Sequence, residues 1–296
     1  VEKGLYRDME NNLNTNLTPG MPIAVGLMNL LIKDGVLSSR LINAIFGSLL
    51  IIPVYLFTKR IFNRKEAYIA AILTAGYTIL IYSSTLTYND SLYSFLFLFG
   101  LYFGWLGLNK ERLWMYILAG VLFGISALVR PESGLVVVVF ILYSLIGFRN
   151  FSLKRFFNIF SLIIVFALVI SPWVLFVHEN TGKWQMSTRG AFTYLHREFE
   201  IFTDDYERNQ FSLNQEKTRI RLNPYNFTGD TRPFTYILQE PEKFAIRYLN
   251  NFGDFLFKFI TEIFPIIFLF IFIYGLYGKQ NLKVDIYLLL FIIYPF

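Results

Sequence analysis

Apolar and polar positions alternate along this chain on the scale of whole helices. Residues 1–18 (VEKGLYRDMENNLNTNLT) are polar and rich in Asn, and Pro19, Gly20 and Pro22 then open the apolar stretch MPIAVGLMNLLI. That stretch is too short to cross a bilayer, and with Pro near its start it predicts an interfacial or re-entrant helix. Longer apolar runs follow at 36–58, 67–84, 91–108, 113–129, 134–148, 156–178 and 253–277, and one more begins near Val284 and reaches Phe296. Between the sixth and seventh runs lies a segment of mixed charged and aromatic residues. At its end Pro241 opens PEKFAIRYLNNFGDFLFKF, where Phe244, Tyr248 and Phe252 recur at helical spacing beside Lys243, Arg247 and Asn251. That pattern predicts an amphipathic helix feeding the next run. No internal repeat is visible.

The pattern predicts an all-α polytopic membrane protein, a bundle of about eight transmembrane helices with a short outer interfacial helix and a small outward insertion. Its parts are an outward polar segment and interfacial helix (1–35), a six-span core (36–178), an extracytoplasmic loop subdomain (179–252) and C-terminal transmembrane helices (253–296). The start at Val1 rather than Met and the short final run read as a fragment whose last helix is truncated.

Composition agrees with this reading. Hydrophobic residues make up 55% of the 296 and aromatic residues 19%, with a mean hydropathy of +0.47. Charged residues are only 16%, against about 25% in a soluble domain, too few to keep such a chain dissolved. Zero Cys excludes a disulfide framework or a thiolate metal site, and two His exclude a His-rich one. A net charge of +6 would suggest nucleic acid in a soluble protein, but here the basic residues collect at the ends of apolar runs. No nucleic-acid partner is expected.

Those basic residues orient the chain. Lys59, Arg60, Arg64 and Lys65, then Lys110 and Arg112, then Arg149, Lys154 and Arg155, then Lys279 and Lys283 fall in one set of connections, which places that set in the cytoplasm. The other short connections offer only Lys33, Arg40 and Arg130. The polar start, the Thr85–Asp90 loop, the Arg130 loop and the 179–252 segment therefore face outward. This describes an integral, multi-pass protein of the cell membrane if the source is a prokaryote.

Several short motifs occur in a particular order: TPGMP (18–22) before the short helix, an Arg-started span RLINAIFGSLLIIPVYLFTKRIF ending in the basic turn FNRKEA, the outward acidic loop LTYNDSLYSF, the glycine-bearing LAGVLFGISALVRPESG, and SPWVLFVHENTGKWQMSTRGA. In order, spacing and sidedness this resembles the dolichyl-phosphate-mannose protein mannosyltransferases and their prokaryotic relatives, which are C-type membrane glycosyltransferases. The resemblance implies transfer of a sugar from a polyprenyl-phosphate donor to a protein, lipid or glycan acceptor on the extracytoplasmic side, by a single inverting displacement. It also implies that the principal catalytic acid follows a first span upstream of GLYRD, so that residues 1–296 alone would be inactive. Either a basic side chain or a divalent cation must then meet the lipid phosphate, and the metal and its ligands are left open.

Asp90, at the outer end of a span, matches the acidic residue of the family's second outer loop and is the catalytic candidate, although Asn89 or Asp90 could equally cap the following helix. Arg130 follows an apolar run directly, and its planar fork suits phosphate oxygens; its alternatives are snorkelling or pairing with Glu132. Arg40 at an outer span start, Glu132, Asn89, Tyr88 and Arg189 in STRGA complete the substrate-binding candidates. Their other readings are interface anchors, belt residues and solvated loop positions. His178 and His196 have no carboxylate at ligand spacing. The competing functions are a transporter or flippase for a lipid-linked saccharide, which should carry ionisable residues in mid-span, and a catalytically inert relative.

Overall fold

The computed structural model describes residue 15, residues 17–146 and 153–187, and scattered positions between 242 and 253. The predicted helices at 253–277 and from Val284, the amphipathic helix as a whole and most of the 179–252 segment lie outside the described residues. By contacts the chain divides into two units. One comprises Val1–Leu17 with Val177–Glu262, and the other Thr18–Phe176 with Ile263–Phe296.

The second unit is helical throughout its described part. Helix α1 (Gly20–Ile32) is the short helix expected after TPGMP. Helix α2 (Gly35–Leu49) begins at Asp34, whose carboxylate accepts from the Val36 and Leu37 amides, and passes through Leu50 into α3 (Ile51–Ile61). Asn63 caps α4 (Arg64–Ala75) in the same manner, through the Lys65 and Glu66 amides. Helices α5 (Thr78–Thr85), α6 (Asp90–Lys110), α7 (Leu113–Val129), α8 (Gly134–Ile146) and α9 (Leu153–Thr181) follow. The expected single run at 67–84 is thus two helices. Gly76 ends α4 at φ −91°, ψ 1°, and Tyr77 stands extended before Thr78. Glycine is a poor helix former and a ready terminator, so the apolar run continues where the helix does not.

Among the described residues, three helical stretches are long and apolar enough to cross a membrane: Gly35–Ile61, Asp90–Lys110 and Leu153–Thr181. At 1.5 Å per residue α6 spans about 31 Å, the thickness of a hydrocarbon core. Its contacts give the order of the bundle. Asn43 bonds the Tyr88 carbonyl, Phe46 meets Phe95 and Phe57 meets Tyr102, so α2 and α3 run alongside α6 in the same direction. Helix α7 returns, with Tyr116 against Gly107, Phe123 against Gly100 and Arg130 beside Asp90. Helix α8 descends again, Phe140 against Gly104 and Tyr143 against Trp105, and α9 climbs past Gly120 and Gly124 with Leu162 and Val169. Small residues at these crossings let the backbones approach, which is how helices associate without a solvent-driven hydrophobic effect.

Two apolar clusters hold this arrangement. The larger joins Phe57, Leu101, Trp105, Leu108, Tyr116, Phe123, Phe140, Tyr143 and Leu162. The smaller, Met21, Ile42, Leu92, Leu96 and Val129, sits at the end of the bundle that carries Asp90 and Arg130. At the opposite end Arg155 binds Glu111, and Asn158 donates to the Glu111 carbonyl at 3.4 Å.

In the first unit, the described residues include the last turn of α9. Gly182, at φ +68°, lets the chain turn there, its amide bonding the His178 carbonyl at 2.8 Å, and the His178 ring stacks on Trp184 at 3.9 Å.

Candidate active site

Pro131 decides where α7 stops. A residue before proline is driven out of the α region, and Arg130 accordingly stands extended, at φ −138°, ψ 116°, before a single 3-10 turn at Pro131–Ser133. The Arg130 side chain therefore leaves the helix at its end and reaches the first turn of α6. Its Nη1 donates to Asp90 Oδ1 at 2.7 Å, and its Nε lies 3.9 Å from Glu132 Oε2. The guanidinium also lies 5.4 Å from the centre of the Tyr93 ring, one turn beyond Asp90. Asp90 is in the first turn of α6, where the helix dipole favours a carboxylate.

Both partners of this pair are 40% exposed. An ion pair that open to solvent contributes at most about 1 kcal/mol. Breaking it to admit a ligand is therefore cheap, and the pair presents a cation and a carboxylate side by side between two helix ends.

The surrounding backbone is held by polar side chains from several elements. Asn89 occupies the cap position of α6 but makes no cap hydrogen bond; its Nδ2 donates instead to the Val129 carbonyl at 2.9 Å. Thr18, just before α1, donates its hydroxyl to that same carbonyl at 3.2 Å. The fully buried Asn43 of α2 donates its amide to the Leu86 and Tyr88 carbonyls, fixing the connection that leads into Asp90. Ser133 Oγ donates to the Arg130 carbonyl at 2.9 Å. Gly20 leaves no room for a side chain here, since a Cβ would fall 2.5 Å from the Leu128 oxygen.

Of the residues singled out by sequence, the structure brings Asp90, Arg130, Glu132 and Asn89 together. Neither Asn89 nor Asp90 caps α6 with its side chain. Tyr88 is exposed and joins the site through its carbonyl. Arg40 is exposed on α2, one turn before Asn43, and among the described residues it makes no ion pair. Arg189 and His196 lie outside the described residues. Among the described residues no group of three or more His, Asp or Glu side chains converges to hold a metal ion. Sequence reading passed over Asn43, Tyr93 and Ser133. Asn43 alone left a signal, a lone amide inside the apolar run LINAIFG, where an amide has to find a partner.

Comparison with known proteins adds one finding at this point. The family model described as dolichyl-phosphate-mannose-protein mannosyltransferase matches residues 16–176, a stretch that holds every residue of the site just described. No curated protein and no solved structure matches the chain.

Proposed function

We propose, starting from a chain that belongs to the dolichyl-phosphate-mannose-protein mannosyltransferase family, that it serves a membrane glycosyltransferase drawing its sugar from a polyprenyl-phosphate donor. The observation that carries this reading is the half-exposed pairing of Arg130 with Asp90 at the junction of two helix ends. In the proposed site the donor's phosphodiester takes the place of Asp90 on the Arg130 fork. The guanidinium has five N–H donors in one plane, and the edge vacated by Asp90 lets two phosphate oxygens bind as a parallel pair. The carboxylate so released lies beside the scissile bond.

The reaction is a single displacement with inversion. The acceptor oxygen bonds the anomeric carbon, the bond from that carbon to the phosphate oxygen breaks, and its electron pair leaves with the lipid phosphate. The acceptor's proton passes to a carboxylate, for which Asp90 is the candidate within the described residues. Charge on the phosphate grows as the bond breaks, so Arg130 interacts more strongly in the transition state than in the ground state, and that difference is what accelerates a reaction. Glu132 keeps the fork oriented, and Arg40 offers a further cation at the same end of the bundle. The active side is extracytoplasmic, in a multi-pass protein of the C-type class.

The test is sugar transfer by the full-length enzyme from a polyprenyl-phosphate sugar. Arg130→Ala should lose about a hundredfold in turnover, on the order of 3 kcal/mol, and Arg130→Lys less, because it keeps the charge without the fork. Asp90→Asn should be similarly impaired, since no cap hydrogen bond is there to preserve. Near-normal turnover of both Arg130→Ala and Asp90→Asn at normal expression would remove the pair from the site.

A further inference from the structure

We propose that the turn joining α3 to α4 binds the phosphate headgroup of an anionic membrane lipid, at the end of the bundle opposite Asp90 and Arg130. Lys59 and Arg60 close α3, Arg64 and Lys65 open α4, and all four are exposed. The connection between the two basic pairs holds no acid, Glu66 follows Lys65 directly, and among the described residues none of the four cations makes an ion pair.

Two tyrosines set these charges in place without neutralising them. Lys59 Nζ lies 5.7 Å from the Tyr55 ring centre, and the Arg64 guanidinium lies 5.6 Å from that of Tyr68 while its Nη2 donates to the Tyr68 hydroxyl at 3.1 Å. The two rings are themselves 5.3 Å apart, one on each helix. Cation–π contact restrains a cation yet leaves its full charge available to an anion. Insertion orientation depends on the number of Lys and Arg near span ends and needs no such ordering.

Beside the cations the surface turns apolar. Phe62, Tyr68, Ile69 and Ile72 are all exposed, Ile72 at 70%. A soluble anion would use the charges alone, whereas a lipid uses both the charges and the apolar face one to two turns along α4. The pairing of the two surfaces points to a lipid headgroup, with a phosphate as the recognised group.

The experiment reconstitutes the full chain in phosphatidylcholine nanodiscs with and without phosphatidylglycerol and measures retained lipid by native mass spectrometry. The wild type should retain phosphatidylglycerol over phosphatidylcholine. The double variant Lys59→Gln/Arg64→Gln should lose about fivefold of that preference per charge removed. Lys59→Arg/Arg64→Lys keeps both charges and should keep the preference, which separates lost charge from lost folding. Inorganic phosphate at the same concentration should not displace the lipid. Equal retention of the two lipids by the wild type, an unchanged preference in the glutamine variant, or displacement by phosphate alone would each overturn the assignment.

Discussion

At the scale of single residues, the candidate site depends on side chains that touch no substrate as much as on those that would. Asn43 is the clearest case. One buried amide serves the carbonyls of both Leu86 and Tyr88, and so fixes the chain two residues before Asp90. Asn43→Ala should leave those carbonyls without this donor, a loss of about 1–3 kcal/mol, and should lower turnover beyond what the loss of folded protein explains. Thermal midpoint and turnover measured on the same purified variant distinguish the two effects. A turnover that follows the folded fraction alone would reduce Asn43 to a stability residue. Asp90, Arg130 and Glu132 stood out in the sequence as candidates, because the short connections on their side of the bundle hold few charges. Their pairing did not, because Asp90 and Arg130 lie 40 positions apart and hydropathy does not say which helix ends meet. Asn89 was a candidate from the sequence, but its bond to the Val129 carbonyl depends on how α6 and α7 lie against each other.

At the scale of elements, hydropathy finds where helices exist better than it finds how they pack. The predicted run at 113–129 coincides with α7, and those at 91–108 and 156–178 fall inside α6 and α9. The run at 67–84 conceals the break at Gly76, since a glycine hardly lowers the hydropathy of a window. Which faces pack was beyond the sequence, because a leucine facing lipid and one facing another helix read alike. The glycines of α7 decide that point. A Cβ on Gly120 would lie 2.7 Å from the Leu162 carbonyl oxygen, a backbone atom of α9 with little freedom to move, and 3.2 Å from Val165 Cβ. Gly120→Val should therefore destabilise by about 1–3 kcal/mol. Gly26 on α1 has open space around its Cβ position, so Gly26→Ala should be neutral or raise stability by up to about 1 kcal/mol. Denaturation in detergent micelles reads both. Equal midpoints for the two variants would mean that α7 and α9 are not packed as described.

At the scale of the whole molecule, helices α6 to α9 of the second unit alternate in direction, and Tyr88 and Lys110 mark opposite ends of α6. The chain has no cysteine of its own, which makes single introduced thiols easy to interpret. Tyr88→Cys should react with a membrane-impermeant maleimide in intact cells and Lys110→Cys only after permeabilisation. The reverse pattern would turn the protein over and put the proposed site in the cytoplasm. The bond from Thr18 to the Val129 carbonyl bears on time as well as on place. It joins residues 111 positions apart, so the ribosome must deliver the whole of that interval before the contact exists. At about 5–20 residues per second that is a wait of roughly 6–22 s, during which α1 has been made and its partner has not. The site thus cannot close until α7 is complete, and a chain stalled before then carries Asp90 without the cation that balances it.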